Sequence, residues 1–262
     1  MMDVGNFGFV IAGLLVGFIV GMTGVGGGSL MTPILLWFGI NPATAVGTDL
    51  LYAAITKSGG VLVHQKNRNI DWKITGWLTL GSVPAVLATL WFLKSLHTDP
   101  QALNSVIKQA LGFVLLLTAL AILFKKKLLA FAQKHAGDHY HLKDSSLNGL
   151  TVVTGVVLGT MVALTSIGAG ALGTVALFIL YPFLATKRLV GTEIAHAVPL
   201  TLVAGLGHAS MGNMDWQLLG FLLMGSLPGI WLGSHMTGRV SDELLRPFLA
   251  LMLFSIGYKL AF

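Results

Sequence analysis

The chain contains no cysteine, which excludes disulfides, cysteine-ligated zinc and thiol chemistry. It is also short of charge. Asp, Glu, Lys and Arg make up 10% of its 262 residues, where a soluble domain carries about 25%. A Gly-x-x-x-x-Gly-Lys loop is missing, so ATP-driven transport has no sequence support. No nucleophile motif surrounds Ser166, which argues against an intramembrane hydrolase, and no cofactor is expected.

What the chain has instead is apolar surface: 55% of its residues are hydrophobic and its mean hydropathy is +0.81. With no hydrophilic domain to offset them, these values predict an all-α membrane protein in the lipid bilayer. About eight transmembrane helices are predicted, at 7–25, 42–63, 74–95, 104–124, 148–168, 188–210, 216–236 and 243–261. The first apolar run has no Lys or Arg before it and no Ala-x-Ala site after it, so it reads as a span and not as a cleaved signal. The formal net charge of +6 comes from basic residues beside apolar spans, a pattern of membrane topology; nucleic acid is not an expected partner.

Glycine interrupts the apolar pattern twice, at Gly24-Val25-Gly26-Gly27-Gly28-Ser29 and at Ser166-Ile167-Gly168-Ala169-Gly170-Ala171. Each break precedes an apolar piece, Leu30–Phe38 or Leu172–Leu184, too short to cross a core of about 30 Å. These pieces read as half-helices or re-entrant segments, which need protein or a polar cavity around their free backbone groups.

The two breaks belong to an internal duplication. Gly13, Gly17, Thr23, Gly26, Gly28 and Leu30 recur at a constant offset of 142 as Gly155, Gly159, Thr165, Gly168, Gly170 and Leu172. At an offset of 144, Gly47-Thr48-Asp49 recurs as Gly191-Thr192-Glu193, and His64, Asn69, Asp71-Trp72, Gly81-Ser82 and Pro84 recur as His208, Asn213, Asp215-Trp216, Gly225-Ser226 and Pro228. The predicted organisation is a first transmembrane repeat over 1–124, a basic cytoplasmic linker over 125–147 and a second repeat over 148–262. Counting eight spans makes the halves parallel; counting the short pieces as crossings makes them inverted.

In the eight-span reading, the linker and the loop carrying Lys66, Arg68 and Lys73 lie on the side of the termini, while Lys187, Arg188, Arg239 and Arg246 lie opposite. That distribution puts both termini in the cytoplasm, with the protein multi-pass in the cell membrane.

Paired broken helices in a duplicated membrane protein point to a central ligand site. Free amides at a helix break and the positive end of its dipole favour an anion. The candidate substrate contacts are Gly26, Gly27, Gly28 and Ser29, with Thr165, Ser166, Gly168 and Gly170 in the second copy, and Thr48 and Thr192 as hydroxyl donors. Lys57, well inside its span, is a further candidate contact or a counter-charge to Asp49. Asp49, Glu193 and His196 are candidates for handling a coupled proton, His196 standing one helical turn after Glu193. Gly13, Gly17, Gly155 and Gly159 fit close helix packing. Asp71 and Asp215 fit helix caps, and Trp72 and Trp216 interfacial anchors. His135, Asp138, His139 and His141 in the linker fit a solvated loop, and no resident metal is expected.

These segments carry a family likeness. Gly26-Gly27-Gly28-Ser29 with Thr32-Pro33, Ala45-Val46-Gly47-Thr48-Asp49, Val190-Gly191-Thr192-Glu193-Ile194-Ala195-His196-Ala197 and Gly205-Leu206-Gly207-His208 resemble the sulfite exporter TauE/SafE family of membrane transporters. The resemblance implies a secondary active transporter for sulfite, an organosulfonate or a related organic anion. Its expected partners are the small anion, the bilayer and a proton, and a homodimer is compatible with it. Two departures stand out: Ala169 and Ala171 replace a fuller glycine run, and Glu193 replaces a shorter acid. Unequal half-sites are expected as a result. The alternative reading is a cation or metal transporter using Asp49, Glu193, His196 and His208.

Overall fold

The structure is a computed structural model and describes residues 4–23, 30–96, 99–134, 144–235 and 242–262. The described residues form helices joined by short turns, without a strand. In chain order they are α1 (Val4–Thr23), α2 (Met31–Trp37), α3 (Pro42–Lys66), α4 (Trp72–Leu96), α5 (Pro100–Leu123), α6 (Lys125–Lys134), α7 (Asp144–Thr165), α8 (Ala171–Leu180), α9 (Thr186–Ser210), α10 (Trp216–His235) and α11 (Asp242–Ala261).

Every predicted span falls on one of these helices, so the protein is an all-α membrane protein. Five helices are long and apolar enough to cross a bilayer by themselves: α4, α5, α7, α9 and α10. Helix α3 has the length, at 25 residues, but Asp49, Lys57 and its threonines lower its hydropathy. It is buried over most of its first four turns, so its polar side chains face protein and not lipid. The short pieces are α2, of 7 residues, and α8, of 10. They extend about 10 and 15 Å and stop well short of a crossing. Helix α6 was not anticipated: the linker begins as a basic helix.

Local chemistry sets the helix starts. Asn41 precedes Pro42 and its side chain accepts from the Ala43 amide at 3.0 Å. Asp99 precedes Pro100 and accepts from the Gln101 and Ala102 amides. Both are polar caps followed by a proline that has no amide to satisfy.

Helices from the two halves of the chain pack in reciprocal pairs. A Cβ on Gly13 would strike the Leu222 carbonyl, and one on Gly155 would strike the Leu78 carbonyl, the repeat-equivalent contact. Gly17 meets Ser226 as Gly159 meets Ser82. Thus α1 runs parallel to α10, and α4 parallel to α7, with backbones touching through glycine. The repeat-equivalent helices themselves run antiparallel. In α3 and α9, Gly47 lies against His208 and Asn213, Leu51 against Gly205, Gly60 against Ile194, and His64 and Asn69 against Gly191. In α5 and α11, Gly112 lies against Ala261 and Gly257 against Leu115. Equivalent helices pointing in opposite directions make the repeat inverted.

Two hydroxyls clasp this arrangement. Thr192 accepts from the Asp71 amide at 2.9 Å, and its counterpart Thr48 accepts from the Asp215 amide at 3.2 Å. Thr192 also donates to the Arg188 carbonyl. Asp71 caps α4 and takes a 2.8 Å ion pair from Arg188. Arg188 therefore lies at the same end of the bundle as Asp71, not at the end opposite Lys66, Arg68 and Lys73 as the eight-span count required. The chain turns back once more in each half than that count allows. Arg239, Asp138 and the linker histidines lie outside the described residues.

Candidate functional site

The antiparallel pair α3 and α9 forms the centre, because each buries nearly its whole first half against the other and against the two short helices. On α3 stand Asp49, Tyr52 and Lys57; on α9 stand Glu193 and His196, the counterparts of Asp49 and Tyr52. All five are buried, Lys57 at 5% exposure and the others at 2% or less. Contacts between α3 and α9 are centred near Ile55 and Pro199, so Lys57 stands close to the crossing. Asp49 and Glu193 lie on opposite sides of it, each within the electrostatic reach of Lys57.

The second glycine break reaches into the space between these acids. Helix α7 ends at Thr165, whose hydroxyl donates to the Met161 carbonyl and accepts from the Ile167 amide. Ser166 then takes a left-handed conformation, with φ of 59°, unusual for a residue with a side chain. Gly168 and Gly170 have φ of 124° and 157°, which only glycine adopts readily. The turn closes through bonds from the Gly170 and Gly173 amides to the Gly168 carbonyl. Lys57 Nζ donates to the Ala169 carbonyl within it. The amides of Ala169, Ala171 and Leu172 have no acceptor among the described residues. They open the N-terminus of α8, where a helix dipole is positive.

The two acids are held differently. Asp49 Oδ2 accepts from both the Thr32 amide (3.2 Å) and the Thr32 hydroxyl (2.5 Å), so it closes the first turn of α2. The Ser166 hydroxyl lies beside the same carboxyl but outside good hydrogen-bond geometry, leaving Asp49 Oδ1 and Ser166 Oγ unpaired. Glu193 packs its Cγ and Oε1 against the backbone of Gly173, and Oε1 has no partner. His196 Nε2 pairs with Ser82 Oγ at 2.8 Å. Its counterpart Tyr52 lies beside Ser226, the counterpart of Ser82. The buried dyad is thus preserved in position and changed in chemistry.

Of the residues singled out from sequence, the structure brings together Lys57, Asp49, Ser166, Gly168, Gly170, Glu193 and His196. Gly26, Gly27, Gly28 and Ser29 lie outside the described residues. Thr48 and Thr192 are turned away from the centre, their hydroxyls engaged at opposite ends of the bundle. Thr165 closes its own helix end. His208 is buried and bonds the Ala163 carbonyl at 2.9 Å, and among the described residues no three His, Asp or Glu converge to hold a metal. His196 is committed to Ser82, not to Glu193. Sequence reading missed Thr32 and Gly173 as neighbours of the acids and Ser82 as the partner of His196. The available signals were the recurrence of Thr32 as Thr174, at the offset of 142, and of Ser82 as Ser226, at 144.

Comparison with known proteins agrees with this architecture. The sulfite exporter TauE/SafE family model matches residues 9–260. A probable membrane transporter protein of Bacillus subtilis, YjnA, is 40% identical over 252 residues, covering 96% of this chain and 98% of the relative. A second from the same organism, YdhB, is 27% identical, covering 97% and 99%. A counterpart from Methanocaldococcus jannaschii is 27% identical, covering 95% and 92%. No solved structure matches. With both the sequence match and the helical bundle in place, the chain belongs to the sulfite exporter TauE/SafE family and is a multi-pass membrane transporter of that type.

Proposed function

We propose that the protein is a secondary transporter of a small oxyanion, sulfite or an organosulfonate or related organic anion, coupled to protons. The observation that carries this reading is Lys57, a buried cation near the crossing of α3 and α9, bonded to a break with three amides that have no acceptor among the described residues. A tetrahedral or pyramidal oxyanion offers several acceptor oxygens. Lys57, the Ser166 hydroxyl and the amides of Ala169, Ala171 and Leu172 supply matching donors. The same lysine disfavours a metal cargo, because a resident cation repels a second one.

Two inverted halves suit alternating access, since each half can close one end of a shared path by the same motion. Purified protein in liposomes is expected to accumulate labelled sulfite when a pH gradient is imposed. Absence of sulfite and organosulfonate transport under any gradient would remove this reading.

We further propose that the protein lies in the cytoplasmic membrane with the start of α1 and the end of α11 facing outward. This reverses the orientation expected from eight spans. Following the helix directions, Lys66, Arg68, Lys73, Lys125, Lys126, Lys127, Lys187 and Arg188 gather at one end of the bundle, while Lys94, Lys108 and Lys259 lie towards the other. Basic residues favour the cytoplasmic side. The cysteine-free chain allows a direct check: a cysteine at Asn67 should resist a membrane-impermeant maleimide in intact cells, and one at Phe262 should react. The reverse pattern would restore the cytoplasmic termini.

A further inference from the structure

We infer that the two repeat-equivalent acids have divided roles: Glu193 carries the coupled proton, and Asp49 is a fixed anion that anchors α2. This rests on the proposed anion–proton transport and assigns its proton to one group. Asp49 and Glu193 occupy matched positions on α3 and α9, but their surroundings are not matched. Asp49 receives two donors from Thr32, one of them the backbone amide that opens α2. Donors of this kind stabilise the ionised carboxylate and cost stability if it is protonated.

Among the described residues, Glu193 receives none. Its Oε1 is buried without a partner there and rests against Gly173. An ionised carboxylate in that setting has Lys57 as its counter-charge but no hydrogen-bond donor among the described residues, whereas a neutral carboxyl can sit there at lower cost. The charged and titratable groups around it are few. From α3 it faces Lys57; on its own helix stands His196, whose Nε2 is engaged by Ser82 of α4; from α8 it meets the Gly173 backbone. Lys57 is shared with Asp49, so one lysine cannot fully balance two carboxylates.

The charge count follows. With Glu193 neutral, Lys57 and Asp49 cancel, and an arriving anion meets a site of no net charge with open donors. With Glu193 ionised, the site already carries a net negative charge and repels the anion. Anion and proton therefore enter and leave together. Gly173 admits the Glu193 side chain beside α8; a Cβ there would stand 3.1 Å from Glu193 Cγ.

The test compares E193Q with D49N in liposomes. E193Q mimics the protonated acid, so sulfite–sulfite exchange should persist within about threefold, while accumulation driven by a pH gradient should fall at least about tenfold. D49N should lose α2 anchoring and impair both modes. Gradient-driven accumulation by E193Q equal to the unaltered protein would overturn the assignment. Should E193Q lose exchange as well, infrared spectroscopy of the purified protein decides. A protonated-carboxyl stretch at neutral pH, present in the unaltered protein and D49N and absent from E193Q, supports the assignment; the same band persisting in E193Q, or missing from the unaltered protein, refutes it. The infrared arm needs no substrate, so it separates failure of this assignment from failure of the sulfite reading.

Discussion

Replacing Lys57 by Met removes the central cation with little change in volume, and the consequence can be scaled from the structure. Lys57 stands eight positions after Asp49 on α3, about 12 Å along the axis. At an effective dielectric of about 20, a unit charge at about 12 Å contributes roughly 1.4 kcal/mol, and at about 6 Å roughly 2.8 kcal/mol. An anion seated on the Ser166–Ala171 break lies no farther than this from the charge, because Lys57 Nζ already reaches the Ala169 carbonyl. The expected loss of sulfite affinity is therefore about tenfold to a hundredfold. Salt should weaken this difference little, since the pair is buried. Asp49 keeps both Thr32 donors in the variant, so the fold should survive, as gel filtration in detergent can verify. The measurement is equilibrium binding of labelled sulfite to purified protein at fixed pH, with K57R as the charge-retaining control. If K57M binds sulfite within twofold of the unaltered protein, Lys57 is not part of the anion site.

Three further outcomes follow from the packing and the clasps. G155L and G13L each force a side chain into a facing backbone carbonyl; overpacking of this kind costs about 1–3 kcal/mol or more, so thermal stability in detergent should drop for both and by similar amounts. T48A and T192A each remove one clasp between a helix and a neighbouring connection; about 1 kcal/mol of stability should be lost, with sulfite affinity unchanged in binding assays. In contrast, S166A deletes a buried hydroxyl that has no partner among the described residues; stability should hold or rise slightly while sulfite affinity falls about threefold to tenfold, and a variant with unchanged affinity would take Ser166 out of the site.

The candidate residues divide by how local their signal was. Asp49 and Glu193 stood out because an acid in an apolar span is costly and because the duplication repeated it. Lys57 stood out for the same cost. Thr48 and Thr192 carry a signal that packing explains in part. Each repeated hydroxyl holds an amide at one end of the bundle, a contact visible only once α4 and α10 are packed against α9 and α3. The glycines behaved likewise in part. Gly13 and Gly155 are spacers between helices that are distant in sequence, while Gly168 and Gly170 shape a break.

By itself the sequence determined that the chain is helical, lies in a membrane and consists of two related halves, because hydropathy, length and repetition are properties of the chain that no packing can alter. It also identified which interior positions carry charge. Tertiary structure decided what those repeats mean. Whether equivalent helices point the same way depends on whether α2 and α8 turn the chain back, and that is a matter of their contacts and not of their composition. The contrast between the acids came from the same source. Asp49 and Glu193 are nearly the same group at the same position of each half, and only the donors placed around them by folding make one a fixed anchor and leave the other without a partner among the described residues.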